Sequence, residues 1–106
     1  VPSIDALLDE VRRAPGGYLE FLRVPAMSVG VYLLAAGAVD DQTPHGEDEI
    51  YYVIRGRGRF HHGGEDMGVG PNDVLFVPAR QAHRFHSIVE ELVLLVVFAP
   101  AEQPRS

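Results

Sequence analysis

From Gly17 onward the chain falls into short apolar runs, each closed by a turn-forming cluster, and this punctuation most restricts what it can fold into. Tyr18–Val24, Met27–Ala35, Glu49–Arg55, Arg59–His62, Glu65–Val69, Val74–Val77, His83–Val89 and Leu92–Phe98 read as strands. Between them stand Ala36-Gly37-Ala38, Gly56-Arg57-Gly58, Gly63-Gly64, Gly70-Pro71-Asn72-Asp73, Pro78 and Glu90-Glu91. Runs this short, rich in branched and aromatic residues and spaced by turn signals, predict an all-β sandwich or barrel. One exception precedes them. Ile4, Leu7, Leu8 and Val11 recur at helical spacing, Ser3 is placed to cap the helix, Asp5 sits in its first turn and Arg12 and Arg13 in its last. A short N-terminal helix over residues 3–13 is therefore expected, ended by Pro15-Gly16-Gly17, with a barrel over about 18–99 and a loose tail over 100–106. The 106 residues suit one domain with one core.

Composition removes several kinds of chemistry. The chain has no cysteine, so disulfides, thiolate zinc sites, iron–sulfur clusters and thiol nucleophiles are excluded. All nine basic residues are arginine, which excludes a lysine Schiff base. With a net charge of −6 and no basic run beyond Arg55, Arg57 and Arg59, nucleic acid is not an expected partner. No segment approaches the ~18 apolar residues of a membrane span. No basic stretch followed by an apolar core stands near the N-terminus, so no signal peptide is read and a cytoplasmic location is expected.

The stretch Thr43–Gly56, TPHGEDEIYYVIRG, brings chemistry to this framework. His45 precedes Glu49 by four residues, and Glu49 opens an apolar strand. Residues of one parity share a strand face, so Thr43, His45, Glu49, Tyr51 and Val53 point one way unless the chain turns at Gly46-Glu47-Asp48. Two readings fit: metal-competent side chains at the mouth of an apolar interior, or a polar loop leading into an ordinary strand. A second stretch, Asn72–His83, halts an apolar strand at Pro78 and opens the next with His83. His61 and His62 beside Gly63-Gly64 read as surface residues, and His86 has the wrong parity to join His83. Arg55, Arg57 and Arg59 read as a solvated hairpin, or else as a clamp for an anionic ligand.

Together the two stretches resemble the sequence motifs of the cupin superfamily, G-x5-H-x-H-x(3,4)-E-x6-G and G-x5-P-x-G-x2-H-x3-N. Gly37, His45, Glu49 and Gly56 fall in register with the first motif, and Pro78 and His83 with the second. Four positions depart from it: Thr43 stands for the first histidine, Asn72 for the first glycine of the second motif, Arg80 for its inner glycine and Ser87 for its closing asparagine. The resemblance implies a single jelly-roll β-barrel. It also implies a divalent metal ion, which the sequence does not narrow among iron, manganese, nickel, zinc and copper, held by His45, Glu49 and His83. Thr43 and Gln42 are possible accessory donors. Glu49, as a base, and Tyr51, as a proton donor to substrate oxygen, are the candidate catalytic residues. The expected activity is that of a metal-dependent dioxygenase, isomerase or lyase acting on a small organic molecule, the alternative being a non-catalytic small-ligand-binding or sensor barrel with weak or no metal. Paired barrels are common in the resembled family, so a homodimer is expected.

Overall fold

The computed structural model describes residues 1–41 and 43–104. A helix, α1 (Ile4–Val11), and a 3₁₀ turn at Pro15–Gly17 lead into β1 (Tyr18–Val24), β2 (Met27–Leu34), β3 (Asp48–His62), β4 (Glu65–Val69), β5 (Val74–Val77) and β6 (His83–Ala99). The strands pair antiparallel in the order β1-β2-β6-β3-β4. The other edge of β3 is divided: Glu49–Tyr52 pair with β5, and Gly58–His62 pair with β4. The architecture is the jelly-roll barrel expected from the sequence, preceded by the short helix.

The strand count differs from expectation. Glu49–Arg55 and Arg59–His62 are one strand, β3, and His83–Val89 and Leu92–Phe98 are one strand, β6. Gly56-Arg57-Gly58 and Glu90-Glu91 do not turn the chain. The β3–β6 ladder instead shifts register three times between Val53 and Arg59, so both strands bend while remaining paired. Gly56, at φ 101°, is what permits this: a Cβ there would collide with the carbonyl of Glu91.

The bend also reverses which residues point inward. Along β3 the buried set runs through Glu49, Tyr51 and Val53, then changes parity to Phe60 beyond Gly56. Along β6 it runs through His83 and Phe85, then changes to Ile88, Leu92, Leu94, Val96 and Phe98. Ser87, at φ 49°, lies at that change. These inward side chains form the core within the barrel. A second core lies on the outer face, where Leu7, Leu8 and Val11 of α1 cover Val31 and Val93. Each such side chain contributes on the order of 1.5–3 kcal/mol by leaving water. The helix is thus a cover on its own barrel, capped by the Ser3 hydroxyl accepting from the Ala6 amide at 3.2 Å.

Candidate metal centre

Three segments converge inside one end of the barrel. His45 comes from the loop before β3, Glu49 from the first turn-ward residues of β3, and His83 from the start of β6. The loops carrying the two histidines are tied together. The Arg80 amide donates to the His45 carbonyl at 2.6 Å, and the Ala79 amide donates to Asp48 Oδ1 at 2.8 Å. Arg80 makes its bond from a left-handed backbone, φ 67°, at the position where the resembled motif carries glycine.

All three side chains are buried. Each offers a ligand atom within 4.8 Å of the others. His45 Nε2 lies 2.8 Å from Glu49 Oε1, and His83 Nε2 lies 3.1 Å from the same oxygen. The rings are fixed by edge-on aromatic contacts. His45 and His83 stand 5.0 Å apart between centroids, and His45 and Phe98 also 5.0 Å. Tyr51 and Phe60 flank His83 at 6.0 and 6.2 Å.

The remaining ring nitrogens decide whether the cluster suits a cation. His45 Nδ1 is 3.2 Å from the Glu47 carbonyl, and His83 Nδ1 is 2.9 Å from the Gln81 carbonyl. A carbonyl only accepts, so in each ring Nδ1 carries the hydrogen. In the neutral rings both Nε2 atoms then turn a lone pair toward one carboxylate oxygen. Such an arrangement needs positive charge between its members, supplied by a proton or by a metal ion. His83 Nε2 is buried and makes no aligned hydrogen bond despite its short contact with Glu49. With each Nδ1–H held by a carbonyl behind its ring, both Nε2 atoms and a carboxylate converge into a donor set that fits a divalent ion of the borderline transition series.

The charges bear the same imprint. Burial alone would push the Glu49 carboxyl up, but its short contacts with the His45 and His83 imidazoles and its hydrogen bond with Tyr51 outweigh it and hold Glu49 below the usual carboxylate range. Burial alone would push the His83 imidazole down, but Glu49 and the Gln81 carbonyl raise it above its ordinary value.

A cavity of about 250 Å³ opens beside Glu49 and Tyr51, with Tyr18, Tyr32 and Phe98 among its walls. Tyr18 lies across Gly30 so closely that a Cβ on residue 30 would overlap its phenol.

A family model described as a cupin domain matches residues 30–98. The chain belongs to the cupin family. An uncharacterised protein of Streptomyces coelicolor is 48% identical to this cupin over 99 residues, covering 93% of this chain and 94% of the relative. Among solved structures, a Thermus thermophilus protein superimposes with a TM-score of 0.75 at 25% identity, over 95% of this chain and 97% of its own. A Thermotoga maritima protein described as a predicted oxalate decarboxylase gives a TM-score of 0.69 at 26% identity, over 78% of each chain.

Of the positions singled out from this cupin's sequence, His45, Glu49 and His83 come together, and Tyr51 is buried beside them. Thr43 is exposed and lies at a separate opening on the far side of His45, while Gln42 falls outside the described residues. His61 is half exposed, and His62 is half-buried against the Phe60 ring with its Nδ1 3.2 Å from Gln81 Oε1. His86 faces outward to Asp66 at 2.6 Å. Arg57 and Arg59 pair with Glu90 and Asp66 on the outer surface, at 3.7 and 2.6 Å.

Two buried carboxylates went unread. Asp40 accepts from the Phe85 amide at 2.8 Å and from the Tyr32 hydroxyl at 3.4 Å, so it joins the loop before β3 to β6 and orients a cavity wall. Burial, reinforced by Asp40, pushes the Tyr32 phenol above its ordinary value. Glu47 lies behind His45, and the unbroken burial of 45, 47, 49, 51 and 53 shows that strand parity already holds before β3 begins. The sequence signal was present in Glu47's odd position and was masked by the turn or bulge that Gly46-Glu47-Asp48 left open.

Proposed function

We propose that this cupin binds one divalent metal ion through His45 Nε2, His83 Nε2 and a Glu49 oxygen, and acts with it on a small oxygen-bearing organic molecule held in the adjoining cavity. The observation that carries the reading is the convergence of two carbonyl-anchored imidazoles on one buried carboxylate oxygen. When bound, the ion supplies Lewis-acid polarisation of a carbonyl or enolate oxygen. The protein residues do the rest. Tyr51 steadies Glu49 through a hydrogen bond and stands at the cavity wall; in this reading its one hydroxyl hydrogen turns from Glu49 to a substrate oxygen when substrate is bound. Glu49 would serve both to hold the ion and as the proton acceptor for a substrate in the cavity. Val96 and Phe98 keep water from one side of the cavity. The class of reaction we favour is lyase, isomerase or dioxygenase chemistry. The likeness to a predicted oxalate decarboxylase supports small carboxylic acids as the first compounds to test.

A second reading, a ligand-binding barrel without turnover, is favoured by Thr43, which stands exposed where the family motif has a histidine. Titration with Mn²⁺ followed by water-proton relaxation tests the first step. Three protein ligands leave coordination positions for water, so relaxivity rises on binding and falls when oxalate displaces that water. Unchanged relaxivity at millimolar protein and metal rejects the metal reading. Following oxalate and related acids by NMR in the loaded protein separates the enzyme, which consumes one of them, from the binding barrel, which consumes none.

A further inference from the structure

Glu47 is a buried carboxylate that the metal set does not use. Its side chain is 6% exposed, and its Oε2 accepts a hydrogen bond from the Gln103 amide at 3.2 Å. Its Oε1 is buried with no hydrogen-bond donor and stands 3.6 Å from His45 Nδ1. The main-chain oxygen of the same residue is 3.2 Å from that nitrogen. Residue 47 therefore meets the back of the His45 ring twice, while Glu49 meets its front. A buried carboxylate oxygen without a donor is costly, and a neighbouring N–H turned toward it relieves part of the cost. His45 is that neighbour.

The Gln103 amide reaches Glu47 because the C-terminal tail is docked. Read from the sequence as loose, its described part is held by the Ala101 amide on the Pro25 carbonyl at 3.3 Å and the Glu102 amide on Ser28 Oγ at 2.9 Å. Arg23 Nη2 also donates to the Glu102 carbonyl at 2.7 Å. The tail and the loop before β3 face each other across an opening lined by Thr43, His45, Glu47 and Gln103.

We infer that Glu47 is a positioning residue: its carboxylate, held by the Gln103 amide, reinforces the main-chain carbonyl of the same residue in keeping the hydrogen of His45 on Nδ1 and Nε2 aimed at Glu49. The C-terminal tail is thereby part of the site. The inference rests on His45 being a metal ligand for its functional meaning, but the geometry it describes exists in the metal-free chain and is tested there. An anion behind a ligating imidazole raises the donor strength of the opposite nitrogen, and losing such a partner costs about 10–100-fold in metal affinity.

The test is long-range ¹H–¹⁵N NMR of the imidazoles in metal-free protein, comparing the parent with Glu47→Gln, Gln103→Ala and Gln103→Pro. Alanine keeps the backbone donor at 103 and proline removes it. The expected result is a changed Nδ1/Nε2 shift pattern for His45 in Glu47→Gln and Gln103→Pro, with the parental pattern in Gln103→Ala. His83, anchored on the Gln81 carbonyl, is the internal control and stays unchanged in all three; amide spectra report that each variant is folded. A parental His45 pattern in folded Glu47→Gln overturns the inference. In a second arm, Mn²⁺ affinity falls about 10–100-fold in Glu47→Gln, and equal affinity overturns the functional part. A parent that binds no metal refutes the metal reading alone, since the imidazole spectra still decide the role of Glu47.

Discussion

Glu49 and Asp66 each draw two histidines, one pair inside the barrel and the other outside. Inside, His45 and His83 stand 2.8 and 3.1 Å from one oxygen of Glu49. Outside, His86 and His61 stand 2.6 and 3.7 Å from one oxygen of Asp66. The difference lies in what completes each group. Asp66 has a permanent cation, the Arg59 guanidinium at 2.6 Å on its other oxygen, and open water around it. That guanidinium, with His86, holds Asp66 below the usual carboxylate range. Glu49 has neither: it is 1% exposed, and among the described residues no salt bridge joins it to an arginine. A carboxylate flanked by imidazoles is therefore not diagnostic in itself. Burial without a fixed cation is what turns the inner group into a candidate for a metal ion.

The largest expected effect that separates the two clusters is stabilisation by metal. At a free Mn²⁺ or Zn²⁺ concentration about 1,000 times the dissociation constant, a site present only in the folded state adds ~4 kcal/mol. For a domain of this size that raises the melting temperature by about 15–30 °C. Thermal denaturation should show the rise in the parent and in His86→Ala, and none in His83→Ala. A rise lost equally in His86→Ala would erase the distinction.

Next in size is the packing that holds the inner cluster. The Phe60 ring is fully buried, 4.5 Å from Phe85 and 6.2 Å from His83 between centroids. Phe60→Ala should cost ~3–5 kcal/mol in urea denaturation. It should also weaken metal binding, because His83 loses a wall. Unchanged metal affinity would mean that the loops alone fix the ligands.

The pH dependence of the metal-free chain is a smaller effect with a definite sign. His83 is raised above its ordinary 6.5, so its contribution is fully present below about that pH and is lost as pH rises through the raised value. Glu49 is lowered below its ordinary 4.5, so its contribution is present above about that pH and is lost as pH falls through the lowered value. Stability from this pair is therefore greatest between about 4.5 and 6.5. Metal affinity should run the other way across the upper limit, rising with pH as the imidazoles lose their protons. Denaturation midpoints and metal titrations across this range check both trends, and Glu49→Gln should flatten the first.

The smallest effect belongs to the outer cluster. Asp66→Asn should leave the denaturation midpoint within error of the parent in 0.5 M salt, where exposed charges are screened. A clear shift there would show that the outer group, too, carries structural weight.

The sequence was legible where spacing encodes chemistry. His45, Glu49 and His83 were found from their intervals, and the parity that set His86 apart holds in the structure. The departures within the second motif also acquire a physical meaning. Asn72, Arg80 and Ser87, which replace two glycines and an asparagine, are, among the described residues, the non-glycine residues with positive φ, at 71°, 67° and 49°. The motif letters there describe backbone conformation, and this chain keeps the conformation with other residues. What was illegible depended on long-range geometry. A glycine that bends a strand and one that ends it look alike, so Gly56 was read as a turn. Asp40 and the Phe85 amide are 45 residues apart, and Glu47 and the Gln103 amide 56, and no local pattern joins either pair.

The central claim is that the inner cluster holds a metal ion and the outer one does not. Elemental mass spectrometry of protein purified without chelator tests it most directly, on the parent, Glu49→Ala, His83→Ala and Asp66→Ala. The account predicts near-stoichiometric divalent metal in the parent and in Asp66→Ala, with background levels in Glu49→Ala and His83→Ala. A parent that stays metal-free after incubation with iron, manganese, nickel or zinc, or metal that survives both inner substitutions, would contradict it.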